Sequence, residues 1–125
     1  MRYVCLVHTD PRVFERLTQE ERDDLDAVSL ADDAELEASG HPIVAQARES
    51  LDTAVTIRQS DGRISATNGP FVESTEQLGG FVDVEARDLN EAISLAARLP
   101  IARYAAIEVR PIMDLAARVR ERKAH

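Results

Sequence analysis

The chain is short of several things at once. A single cysteine, Cys5, among 125 residues has no partner for an internal disulfide, which sets the expectation of a reducing, cytoplasmic setting. Its three histidines, His8, His41 and His125, are too scattered for metal-ligand spacing, and Cys5 belongs to no Cys-x-x-Cys pair, so no metal is expected. Tryptophan is missing and the aromatics are Tyr3, Phe14, Phe71, Phe81 and Tyr104, so the core has to come from Leu, Val, Ile and Ala. No run approaches the ~20 uncharged apolar residues that span a bilayer. The opening MRYVCLVHTDP has neither the apolar length nor the cleavage site of a signal peptide. Positive charge is in the minority, with 15 Lys and Arg against 23 Asp and Glu and a net charge of −8. Nucleic-acid binders need a basic stripe to replace phosphate counterions. The one basic cluster, Arg118, Arg120, Arg122 and Lys123, lies at the end of an expected helix, where cations offset the dipole. The glycine-rich nucleotide motifs and the G-x-S-x-G elbow are also missing, so no cofactor is expected.

What is present reads as one globular domain, 44% hydrophobic and 30% charged, large enough to bury roughly two-thirds of its unfolded surface. Tyr3 to His8 is β-rich and almost continuously apolar, as a strand covered on both faces would be. Asp10-Pro11 ends it. Thr18 and Glu21 form a capping box that opens a helix reaching Ser39, with Leu25, Val28 and Leu36 as its stripe and Gly40 as its stop. His41-Pro42 leads into a short extended piece, Ile43 to Ala45. Thr53 to Arg58 and Ile64 to Asn68 alternate around Asp61-Gly62, a hairpin turn signal. Leu78 to Ala86 resumes as a strand, and Gly79-Gly80 marks a bulge or a close backbone neighbour. Asp88 and Glu91 cap a second helix with Leu89, Ile93, Ala96 and Ala97 as its stripe, closed by Pro100. Tyr104 to Arg110 is the last strand, and Met113 to Lys123 a C-terminal helix. Two βα units around a mostly antiparallel sheet leave one sheet face for the helices and the other open. A ferredoxin-like α+β domain that dimerises through its sheet answers both demands.

Asn68-Gly69-Pro70-Phe71 followed by Glu73, Glu76 and Leu78-Gly79-Gly80-Phe81 resembles the D-G-P-F…E…E-x-L-G-G-F signature of the YCII-related, or DGPF-domain, proteins. Glu85-Ala86-Arg87-Asp88-Leu89, Ala96-Ala97-Arg98, Pro100 and Ile107 to Ile112 are similar to that family's downstream pattern. The likeness covers residues 1–115, with residues 112–125 as a helical tail. It implies a ferredoxin-like fold assembled as a dimeric α+β barrel, a cleft near the subunit interface, and an activity that is largely unassigned. Three departures stand out. Asn68 replaces the leading aspartate, Thr75 replaces a lysine between the two glutamates, and the histidine and aspartate of smaller members fall near Ser29 and Leu99 here.

Several residues are candidates for chemistry, each with a plainer alternative. The Asn68-Gly69-Pro70 turn either holds an amide and backbone N–H groups toward a ligand, or simply ends a strand while Phe71 plugs the core. Glu73 pairs with Glu76 for acid–base work only if burial shifts one of them. Arg58 and Arg110 either bind an anion in a shared interface cleft or form salt bridges with Glu108 or Glu85. His8, followed by Thr9-Asp10, is the best lone acid–base group, with a surface role as the alternative. The reading that follows is a homodimer with a small anionic or polar ligand bound by Asn68, Gly69, Arg58 and Arg110. His8 and Glu73 are weak catalytic candidates, and a degenerate enzyme fits as well as an active one. The competing reading is a non-catalytic interaction module whose acidic 20–37 helix meets a basic partner. The resemblance adds that similar domains occur fused to sigma-factor-like regions.

Overall fold

The computed structural model describes residues 1–38, 43–47, 54–71 and 76–124. Four strands, β1 (Arg2–Thr9), β2 (Ile43–Ala47), β5 (Gln77–Glu85) and β6 (Ala105–Pro111), form one sheet in the order β2-β5-β1-β6, with every pairing antiparallel. A separate hairpin, β3 (Val55–Ser60) and β4 (Arg63–Asn68), stands between β2 and β5 in sequence. The helices are α1 (Pro11–Glu15), α2 (Gln19–Ala38), α3 (Leu89–Ala97) and α4 (Leu115–Ala124), with a 3-10 turn at Pro100–Arg103. Without the hairpin the elements run β-α-β-β-α-β and β5 lies between β1 and β2, the split arrangement of ferredoxin-like domains.

The core lies on one face of the sheet. Tyr3, Cys5, Val7 and Thr9 of β1 alternate inward, and Val82 and Val84 of β5 join them. Against these pack Ala92, Leu95 and Ala96 of α3 and Leu99 beyond it, with Ile107 and Val109 at the margin. The positions 92, 95, 96 and 99 follow helical spacing. Two alanines on that stripe let α3 sit close over the strands. The stripe therefore differs from the one expected: Leu89 and Ile93 are about half exposed. Apart from the arc of Asn90, Glu91 and Ser94 the helix is apolar, and periodicity alone could not choose a stripe within so broad a face.

Helix α2 shows the same kind of difference. Its half-buried positions are Arg22, Leu25, Ser29, Asp32 and Asp33, while Val28 points outward. The expected capping box is present: Glu21 N–H donates to Thr18 Oγ1 (3.1 Å), and Thr18 N–H donates to the Glu21 carboxylate (3.0 Å). The Arg22 guanidinium donates to the Phe14 carbonyl at 2.9 and 3.1 Å, tying α2 to α1. Sequence reasoning had no α1. Its signal was there: Asp10 caps it by accepting from Arg12 N–H (3.0 Å), and Pro11 stands at its first turn. The expected stop at Gly40 lies outside the described residues.

Strand β1 is covered on one face, not two. It is central, with β5 and β6 on its edges, but Val4, Leu6 and His8 face away from the helices and are half-buried. The hairpin turns as expected, with Asp61 (φ 51°) and Gly62 (φ 77°) both left-handed, as a two-residue turn of this kind requires. Gly79 is the bulge expected of it, and its close neighbour is a side chain, not the backbone expected as the alternative. The register slips between Val7, opposite Gly80, and His8, opposite Leu78, so Gly79 is the extra residue of a bulge. A Cβ at Gly79 would lie 2.7 Å from Oγ1 and 2.8 Å from Cγ2 of the buried Thr9.

Gly79→Ala is therefore expected to cost about 1–3 kcal/mol by overpacking. Thr9→Ala in the same chain should recover most of that loss, because it removes both clashing atoms. Urea unfolding of the four chains of this cycle checks it.

Candidate functional site

The open face of the four-stranded sheet gathers the largest set of chemically useful side chains. The ladder places Leu6 between Phe81 and Glu108, and Val4 between Asp83 and Arg110. Val4, Leu6 and Phe81 thus make an apolar strip, with His8, Glu108 and Arg110 along one side. His8 Nε2 lies 3.1 Å from Glu108 Oε1. If that nitrogen carries the proton, Nδ1 is free to accept one, the arrangement a general base uses. Sequence order suggested Asp10 for this contact. Asp10 is taken up otherwise, capping α1 and gripping the Arg12 guanidinium at 2.8 Å, which holds its carboxyl below the usual range. Glu108, a hundred residues away, becomes the neighbour through the β1–β6 pairing.

Arg110 lies two residues from Glu108 on this face and has no ion pair among the described residues. Within one chain the cross-strand form of the salt-bridge alternative is not made among the described residues: Glu108 meets His8, and Glu85 meets the N-terminal ammonium at 2.9 Å. Asp83 pairs with Arg2 through one oxygen. Its other oxygen, Oδ1, is inaccessible and has no hydrogen-bond partner among the described residues.

The remaining candidates sit elsewhere. Arg58 and Arg110 belong to two different sheets. Within the hairpin, Asn68 pairs opposite Val55 and Arg58 opposite Ser65, so the two side chains emerge on opposite faces. Gly69 has φ 110°, reachable for glycine but rarely for other residues, and two bonds fix it: its N–H to the Ala54 carbonyl (2.7 Å) and its carbonyl from Thr56 Oγ1 (2.8 Å). Phe71 does not plug the core. It is 68% exposed and carries the Arg58 guanidinium 4.8 Å above its ring. Glu73 and Thr75 lie outside the described residues, and Glu76 is described just before β5.

A second titratable cluster went unnoticed in the sequence. Ser29 and Leu99, near which spacing put the histidine and aspartate of smaller members, lie on the inner side of α2 and in the core. One helical turn beyond Ser29 is Asp32, whose Oδ2 is inaccessible and without a hydrogen-bond partner among the described residues. Burial, then the Glu35 charge, push the Asp32 carboxyl up, against the pull of Arg98. Asp33 is also raised, by burial and by Asp32. Spacing from Ser29 was the available signal, but nine carboxylates in this helix gave no way to choose among them.

Fold and site together define a small α+β domain with a helix-covered sheet and a polar, half-apolar open face. The family model for the YCII-related domain matches residues 1–116, and the chain belongs to that family. An uncharacterized protein of Rhizobium meliloti (strain 1021) is 39% identical over 61 residues, which is 47% of this chain and 49% of that protein. The matched stretch thus spans about half the length of that relative. Among solved structures, the 5-chloro-2-hydroxyhydroquinone dehydrochlorinase TftG of Burkholderia phenoliruptrix AC1100, in complex with 2,5-dihydroxybenzoquinone, superposes with a TM-score of 0.52. It is 20% identical, and the superposition covers 90% of this chain and 94% of that one, a likeness of fold.

Because the folded state raises the Asp32 pKa, its charged form opposes folding above that pKa, and the opposition fades as pH falls through it. Asp32→Ala should raise the melting temperature at pH 7. The difference from wild type should shrink steadily toward pH 4, whereas a gain from helix propensity alone would not change with pH.

Proposed function

We propose that the chain works in the cytoplasm as a homodimer whose sheets close their open faces over a cleft for a small anionic or polar ligand. The observation that carries this reading is the composition of that face: an apolar strip of Val4, Leu6 and Phe81 beside an Arg110 that has no ion pair among the described residues and a His8–Glu108 couple. Apolar area of this kind gains from being covered, and the nearly continuous apolar run of β1 is otherwise without a reason on its outer side. Arg110 supplies the planar fork suited to a carboxylate or an enolate-like oxygen pair. The TftG complex holds a small, flat, oxygenated ring, and this is the ligand class we favour here.

His8, held by Glu108, is the proton-moving group of this reading. Asn68 in place of the family's aspartate hydrogen-bonds and cannot take up a proton at neutral pH, so the hairpin contributes binding at most. Binding without turnover is accordingly as good a fit as catalysis. In the competing interaction-module reading, acidic α2 is the working surface and the sheet face stays empty.

Analytical ultracentrifugation and a thermal-shift panel of hydroxyquinones, hydroxybenzoates and small dicarboxylates test the proposal. A dimer is expected, and a ligand at a hundred times its Kd should stabilise it by about 2.7 kcal/mol. Arg110→Ala should abolish that shift while changing the stability of the ligand-free chain by less than about 0.5 kcal/mol, the usual range for surface substitutions. A monomer, or a ligand shift that survives Arg110→Ala, overturns it.

A further inference from the structure

Helix α4 is an element without a home. It lies almost wholly beyond the family's domain, which ends at residue 116. None of its residues is buried, and Leu115 is 65% exposed. Asp114 caps it, accepting from Ala117 N–H at 2.9 Å. Ten residues are fewer than an isolated helix needs to persist in water, about 12–15 even for favourable sequences, so its helicity calls for a partner. One face carries Leu115, Arg118, Val119 and Arg122, at positions i, i+3, i+4 and i+7. Four cations against Glu121 give α4 a net charge of +3.

The complementary surface is on α2. Between Gln19 and Ala38 it holds nine carboxylates and one arginine, a net of −8, equal to that of the whole chain. The side turned away from the sheet is exposed along Ala27, Leu30 and Ala34, with Leu30 72% exposed, and Asp23, Asp26 and Glu37 flank it. Like charges three or four residues apart, as in Asp23 and Asp26, weaken a helix unless cations come near. The apolar stripe of α4, edged by arginines, matches the apolar stripe of α2, edged by carboxylates. Within one chain the two helices share no extended contact: α2 packs on the Pro100–Arg103 turn and on β2, and α4 packs closely on no other element.

We infer that α4 docks on the outer face of α2 of a second copy of this chain. Leu115 and Val119 cover Leu30, and Arg118 and Arg122 meet Asp23, Asp26 or Glu37. Applied reciprocally, the contact closes as a two-fold pair. It uses neither the open sheet face nor the hairpin, so it stands apart from the ligand cleft. A Phe81→Glu chain, which cannot pair through its sheet, should still make it.

Lys123 is the one lysine of the sequence, and it makes the test specific. A zero-length carbodiimide joins its ammonium to a touching carboxylate. Equal amounts of isotopically heavy and light chains distinguish links between copies from links within one. Expected are heavy–light peptide pairs joining Lys123 to α2 carboxylates, lost in about 1 M NaCl, where the Debye length is about 3 Å. Arg118→Glu with Arg122→Glu should also abolish them. Adding Asp23→Arg and Asp26→Arg to that chain should bring them back through the remaining α2 carboxylates. Links confined to one chain, links to carboxylates outside α2, no Lys123 link at all, or links indifferent to the reversals each overturn the inference. So does failure of the combined reversal to restore them.

Discussion

Everything in this domain hangs on β1. Both of its edges are hydrogen-bonded, to β5 on one side and β6 on the other, so its eight residues set the register of most of the sheet. Because side chains alternate along a strand, that register also sorts the chemistry. Tyr3, Cys5, Val7 and Thr9 go to the core with α3; Val4, Leu6 and His8 go to the open face. A slip of one residue would put His8 in the core and Cys5 in the open. The bulge at Gly79 is what holds the far end of this arrangement, since only a residue without Cβ lets β5 pass so close over Thr9. Burial there also pushes the Cys5 thiol up, with the Asp83 charge adding to it, so Cys5 behaves as a small core residue and not as a nucleophile.

Much of this was legible in the sequence because its punctuation is strong. Asp61-Gly62, the Thr18–Glu21 box, Asp88 and the glycine pair at 79–80 each carry a local mechanism that tertiary structure did not override. The faces of the helices were less legible. In α3 the apolar residues spread over more than half of the helix surface, and in α2 a carboxylate, Asp32, lies on the inner side while Val28 and Leu30 lie outside. Hydrophobic pattern cannot find a face that the fold makes against the pattern. The His8–Glu108 contact was out of reach for a different reason, since it depends on the β1–β6 register and on nothing local to either residue.

The candidate binding residues illustrate what alternation can and cannot settle. Arg110 emerges on the polar side of its strand, and so does Arg58, but in a different sheet, stacked on Phe71. Period two fixes a side chain's face within its own sheet and says nothing about how two sheets meet. For the same reason Asn68, which opens the motif that marks the family, and Arg58, ten residues before it in one hairpin, emerge on opposite faces.

In the pair proposed above, the electrostatics of the open face would tie ligand binding to assembly. Unit charges 4 Å apart attract by about 1 kcal/mol in bulk water and about 4 kcal/mol at the effective dielectric of a partly enclosed protein site. On an uncovered sheet, an anion at Arg110 would sit near the first value and compete with nearby Glu108 and with salt. Covered by a second copy, the same arginine would act near the second value, over an apolar floor of Val4, Leu6 and Phe81. By linkage, whatever makes the anion bind better in the closed pair makes the pair itself tighter when the anion is present, by the same factor. On the proposed reading, a domain so poor in acid–base groups would still be selective, because Arg110, without an ion pair among the described residues, matters in proportion to how well water is kept from it.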